Sequence, residues 1–261
     1  MEGGFYMRRV YKRNYISNFL IRLDLGTNLE EGKYDDILKL LTNDFPIMEK
    51  LDIQNRNILI NKDSDIPEPI LSDPETKIRN VLYNADRNER ITISSDTIIY
   101  ETLKYTSFSK IKPVLEKIIL SLKDDYNIKT FNRIGLRYVN LIKLPVKEKR
   151  DIFEWAGYIN TNLLFSNNFI KYEDILQQLQ TVEFKLDNEN DLLCRLQYGI
   201  PNRNMPADLM KKIFLIDIDG FTNSMVEQED VEKILETIHE KSISIFENCI
   251  DDKLRNEMNG K

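Results

Sequence analysis

Residues 129–144 read KTFNRIGLRYVNLIKL and stop at Pro145. Their β-branched, aromatic and aliphatic side chains make this run a strand. Arg133 and Arg137 lie an even interval apart, so a regular strand projects both from one sheet face, with the open space of Gly135 between them. Upstream, residues 15–25 (YISNFLIRLDL) end in an alternation of Leu20, Arg22 and Asp24 against Phe19, Ile21, Leu23 and Leu25, a strand with one wet face. Residues 76–84, 89–94 and 97–103 are strand-like runs separated by Asn84-Ala85-Asp86 and Ser95-Asp96, which gives a meander. Ile111, Val114, Leu115, Ile118, Ile119 and Leu122 then recur at three and four residues. That spacing is a helix, capped by Ser107 or Ser109 and carrying Pro113 in its first turn, with Asn127 closing it.

The remaining chain follows the same grammar. Tyr34, Ile37, Leu38 and Leu41 make a short helix behind acidic residues, and residues 47–60 return to extended structure. Residues 61–74 (NKDSDIPEPILSDP) read as a long loop inside the domain. A helix-like piece over 151–158 carries Trp155. Residues 175–186 and 192–200 flank the turn Asp187-Asn188-Glu189-Asn190, and 210–219 (MKKIFLIDID) form a buried strand closed by Gly220. A final helix shows one apolar stripe from Val231 through Ile238, Ile245 and Cys249 to Leu254. The expectation is a single α+β domain over 1–261: a large, mainly antiparallel sheet with long amphipathic helices on one face. Its halves, 15–145 and 146–261, are expected to be pseudo-symmetric, behind a basic leader at 1–14.

The composition removes whole classes of chemistry. With 41% hydrophobic residues the chain of 261 can build a core. Two cysteines and one histidine exclude a disulfide scaffold, a cysteine zinc site and any site needing two imidazoles. No apolar run approaches the roughly 20 residues of a membrane helix, and no apolar signal segment follows the basic start, so a cytoplasmic protein without membrane contact is expected. The net charge of -6 disfavours nucleic acid as a partner. Arg8, Arg9, Lys12 and Arg13, interleaved with Tyr6, Tyr11 and Tyr15, read either as a stacking arm for single strands or as a solvated leader. Lys143, Lys147, Lys149 and Arg150 are balanced by Glu148, Asp151 and Glu154 and read as solvated surface.

Four pieces occur in order: Tyr100-Glu101-Thr102 with Tyr105-Thr106-Ser107-Phe108; Arg133-Ile134-Gly135-Leu136-Arg137-Tyr138-Val139-Asn140; Leu215-Ile216-Asp217-Ile218-Asp219; and Ile238-His239-Glu240 with Phe246 and Ile250-Asp251-Asp252-Lys253-Leu254. Together they resemble a sporadically distributed family of uncharacterised bacterial and archaeal proteins, with RIGLRYVN the most specific part. The resemblance implies a cytoplasmic prokaryotic protein of scattered occurrence, as accessory genes and mobile defence loci show. It brings no catalytic residues with it.

Chemistry, if there is any, falls on few side chains. Arg133 and Arg137 can grip phosphate or carboxylate through forked hydrogen bonds, or can serve as structural ion bridges. Asp217 and Asp219 share one strand face; if that strand neighbours the arginine strand, the four pair with each other. Alternatively Asp217 and Asp219 hold a divalent metal, with Glu101 and Glu183 as further oxygen donors by residue type. Asn140 and His239 complete the candidate ligand-binding set; His239 reads as a general base near Glu236 and Glu240, or as a helix-packing residue. Cys194 and Cys249 read as packing, and no phosphate loop or dinucleotide fingerprint occurs. The leading expectation is a non-enzymatic interaction or sensing module with no cofactor. It would have a protein partner or a second copy of itself, within a prokaryotic multi-protein system such as anti-phage defence. The alternatives are a metal-dependent phosphodiesterase or nuclease, and a nucleotide or nucleic-acid binder without catalysis.

Overall fold

A computed structural model describes residues 11–30, 34–55, 58–60, 69–71, 75–164, 170–171, 174–187 and 191–260. In chain order the elements are β1 (Ile16–Leu25), α1 (Asp35–Leu41), β2 (Ile47–Asn55), β3 (Ile58–Ile60), β4 (Pro69–Leu71), β5 (Glu75–Tyr83), β6 (Glu89–Ile93), β7 (Thr97–Thr102), α2 (Phe108–Asp124), β8 (Thr130–Leu144), β9 (Gln178–Asp187), β10 (Leu192–Ile200), β11 (Lys212–Thr222), β12 (Val226–Glu227), α3 (Val231–Cys249) and α4 (Asp252–Asn259). The main sheet runs β2-β5-β6-β7-β1-β8-β11-β10-β9, with β12 also paired to β8 and with β3–β4 a separate pair. Every pairing between these strands is antiparallel. The meander β5-β6-β7 forms as the turn residues predict, with the Asn84 carboxamide oxygen accepting from the backbone of Asn88 and Glu89 to close its first turn. Among the described residues no helix is long and apolar enough to cross a membrane.

Register decides which side chains share a face. Ile134, Leu136 and Tyr138 of β8 lie beside Leu23, Ile21 and Phe19 of β1, and Leu136, Tyr138, Asn140 and Ile142 lie beside Gly220, Ile218, Ile216 and Phe214 of β11. This is the buried face. Phe108, Ile111, Leu115, Ile118 and Leu122 of α2, with Val231, Ile234, Leu235 and Ile238 of α3, join its β1 and β8 residues in one cluster. A second cluster gathers Trp155, Ile142, Phe214, Ile216, Cys249, Ile250 and Leu254. Each such side chain taken fully from water contributes about 1.5–3 kcal/mol before chain entropy is counted.

Several boundaries differ from the sequence expectation, each for a local reason. Within the expected loop, Pro69–Leu71 forms β4, while residues 61–68 and 72–74 lie outside the described residues, as do 188–190 of the expected hairpin turn. Pro113 sits inside α2, beyond its first turn; the carbonyl it leaves free is that of exposed Ser109, which water can satisfy. The piece around Trp155 is a 3-10 helix, Lys149–Phe153, that ends before the tryptophan. Strand β11 runs through Gly220 to Thr222, because Gly220 is where α3 crosses: a Cβ there would stand 2.5 Å from Ile238 Cγ2. The long final helix is two helices. Ile250 is extended and bridges Ile159, and Asn160 N donates to Cys249 O at 2.9 Å, so the neighbouring chain takes over the helix end.

Candidate functional site

Arg133 and Arg137 project from the face of β8 opposite the helices, and Asp217 and Asp219 project from the same face of adjacent β11. Asp219 stands directly across from Arg137, yet Arg137 reaches diagonally to Asp217. Its Nε donates to Asp217 Oδ1 at 2.8 Å and its Nη2 to Oδ2 at 2.6 Å, a forked pair. That bond raises the guanidinium pKa further above its ordinary value. Arg133 Nη2 lies 3.8 Å from Asp219 Oδ2, and its guanidinium covers the Phe221 ring at 4.3 Å. Burial pushes the Asp219 carboxyl up, against the opposing pull of Arg133 and Arg137. A hollow of about 160 Å³ between Arg137 and Arg195 is bordered by both aspartates.

The acids proposed as further metal ligands do not converge on this pair. Glu101, on β7, lies three strands from β11, about 14 Å away at the usual strand spacing, and is held by Arg90 and by Asn18 Nδ2 at 2.7 Å. Glu183, on β9, is two strands away on the other side and accepts from Arg195 Nε at 2.7 Å. Among the described residues no group of three or more His, Cys, Asp or Glu side chains is placed to hold a metal ion.

Asn140 and His239 belong to the opposite face. Asn140 has the other parity on β8 from Arg133 and Arg137, and its Nδ2 donates to Ile216 O at 3.1 Å. His239 stacks on Phe108 with centroids 4.6 Å apart, and its Nδ1 hydrogen-bonds the Tyr138 hydroxyl at 2.6 Å. The Tyr138 hydroxyl in turn lies 3.3 Å from that of Tyr105. Asn140, His239, Tyr138 and Tyr105 border a cavity of about 280 Å³ together with Ser242 and Glu247. Glu247 accepts from Tyr11 Oη at 2.6 Å and from Arg255 Nε at 3.2 Å. The four candidate ligand-binding residues thus divide between two surfaces with the sheet between them. Among the described residues, the acids near His239 in sequence turn elsewhere in part: Glu236 pairs with Lys112.

Both thiols are buried, which pushes Cys194 and Cys249 up to about 12 and favours their neutral form. Arg8 and Arg9 of the basic leader lie outside the described residues, and Arg13 pairs with Glu257 at 3.6 Å. In the second basic cluster Lys149 meets Asp208 at 3.3 Å and Arg150 meets Glu148 at 2.9 Å. Tyr105, Tyr138 and Ser242 stand outside the candidate set that the sequence suggests, though the even spacing of Tyr138 from Asn140 puts both on one face. Lys212 stands outside that set as well, and shares the parity of Phe214, Ile216 and Ile218 on the buried side of β11. No protein-family model matches the chain, and no curated protein matches it.

Proposed function

We propose that the chain is a non-enzymatic interaction or sensing module, a cytoplasmic accessory component of a prokaryotic multi-protein system such as anti-phage defence. The forked Arg137–Asp217 pair carries this reading. Both carboxylate oxygens of Asp217 face one guanidinium, so a metal ion would have to displace the arginine and a phosphate would have to displace the aspartate. Glu101 with Arg90 and Glu183 with Arg195 are further acid–arginine pairs on the same face, each made through one carboxylate oxygen. A sheet face whose acids are already engaged by arginines is a fixed pattern that a protein partner can read, rather than a set of groups waiting for a small ion. The family resemblance supports the accessory role.

Two measurements on the purified chain test this. Light scattering, alone and with the products of adjacent genes, should give a dimer or a stoichiometric complex. Assays on nucleotides and nucleic acids with magnesium or manganese should give no turnover. Metal-dependent turnover that disappears in Asp217→Asn, or a strict monomer with no partner, overturns the reading.

A further inference from the structure

A cavity of about 860 Å³ lies beside the end of β8, the start of β11 and the 3-10 segment Lys149–Phe153. Lys212 lines it. Opposite Leu144 and on the same face as Phe214, this lysine points to the helix side of the sheet, and it is only 8% exposed. Among the described residues its ammonium has no hydrogen-bond acceptor and no carboxylate within ion-pair distance. What it meets are two rings, with Nζ 5.3 Å from the centroid of Trp155 and 5.4 Å from that of Tyr158.

The acids that share the cavity are turned to other groups. Asp151 Oδ2 accepts from the backbone of Lys147 and Glu148 at 3.0 Å each. Glu154 lies 3.9 Å from Arg150, and Glu257 lies 3.6 Å from Arg13. A second ammonium, Lys253 Nζ, stands 5.6 Å from the Tyr158 centroid. Burial pushes the Lys212 pKa down, against the opposing pull of the Asp151 and Glu154 charges. Buried charges in proteins are ordinarily matched by a counter-charge with hydrogen bonds, and here two aromatic faces stand in its place.

We propose that this cavity binds a small organic anion, a carboxylate or phosphate on an apolar or aromatic body, with Lys212 as the counter-charge and Trp155, Phe153 and Leu163 beside the body. The volume lies within the range of small-molecule sites, and the lining sets apolar side chains, among them Leu144, Phe153, Trp155, Leu163 and Phe214, beside charged groups of both signs, with Lys212 the charge held against the rings. The proposal deepens the sensing reading and rests on it for its biological role. Its residues lie across the sheet from Arg137 and Asp217, so the two arguments fail separately.

Trp155 is the one tryptophan of the chain, so intrinsic fluorescence reports on this cavity directly. The full chain is titrated with octanoate and with adenosine monophosphate, and with octanamide, adenosine and inorganic phosphate as controls. A saturable change with octanoate identifies a carboxylate ligand, and one with the nucleotide identifies a phosphate ligand. Either should bind roughly thirtyfold or more tightly than its uncharged counterpart and than inorganic phosphate. Lys212→Met should weaken the bound anion by a similar factor while keeping a Tm at or above that of the parent. Several results would overturn the proposal: no saturable change with either anion, equal affinity for charged and uncharged forms, inorganic phosphate binding as tightly as the nucleotide, or undiminished binding by Lys212→Met. The charged-against-uncharged comparison on the unmodified chain decides the matter even where that variant does not fold.

Discussion

If Asp217 is a structural partner of Arg137, removing its charge must cost stability. Asp217→Asn keeps the shape and one acceptor but turns the other oxygen into an amide donor that faces a guanidinium donor. A fully buried pair broken this way costs about 3–5 kcal/mol, and a fully exposed one at most about 1 kcal/mol. Here the aspartate side chain is 7% exposed and the arginine 44%, so the stranded arginine recovers part of its hydration. About 2 kcal/mol is the expected loss, and for a chain of this length that lowers Tm by about 4–8 °C. Urea denaturation at neutral pH measures it as a lower midpoint at constant slope. A double-mutant cycle with Arg137→Met isolates the pair, because each single change strands one partner and the double change strands neither. Coupling of more than about 1 kcal/mol is expected. A coupling within about 0.3 kcal/mol of zero would refute the structural account of Asp217.

The neighbouring acid should behave in the opposite sense. Burial raises the Asp219 pKa above its unfolded value, so its favourable contribution is fully present below the ordinary carboxyl range and is lost as pH rises through the raised value. Asp219→Asn should therefore hold or raise Tm at neutral pH, with the difference from the parent shrinking below about pH 4; a loss at neutral pH as large as that of Asp217→Asn would contradict this. Tyr138→Phe deletes the hydroxyl bonded to His239 Nδ1 and should lower stability by about 1–3 kcal/mol, read from the urea midpoint. An unchanged midpoint would show that the bond adds nothing. Gly199 has φ +134° and would set a Cβ 2.1 Å from Gln178 O, so Gly199→Ala should loosen β9 from β10 and speed hydrogen exchange of the β9 amides, whereas native protection there would count against the geometry.

Most strands were legible because their signals are local. Alternation in 15–25 and turn residues between the meander strands need no knowledge of distant chain, and β1, β5, β6 and β7 form where those signals stand. What was not legible depends on contacts between distant segments. The apolar stripe past Cys249 has helical spacing, but the break at Ile250 is imposed by Ile159, far away in sequence. Gly220 reads as a strand end until α3 is laid across it. The pairing of Arg137 with Asp217 required that β11 neighbour β8, which no local pattern states.

The candidate residues show how far parity alone could have gone. Once 130–144 is a strand, Arg133 and Arg137 must face away from Asn140, so grouping the three as ligand-binding residues spans two faces. The same count on β11 separates Asp217 and Asp219 from Lys212, Phe214 and Ile216. Parity assigns faces, but it does not say which face is charged by design and which holds an unmatched charge. On the open face each arginine of the candidate set finds an acid on the adjacent strand. On the buried face the Lys212 ammonium lies against two rings, with no acid within ion-pair distance among the described residues. Because an ammonium held against rings with no adjacent acid is the costlier arrangement, it is the one that calls for an explanation outside the fold itself. The paired open face is consistent with surface structure; the lysine is the group whose environment a ligand would complete.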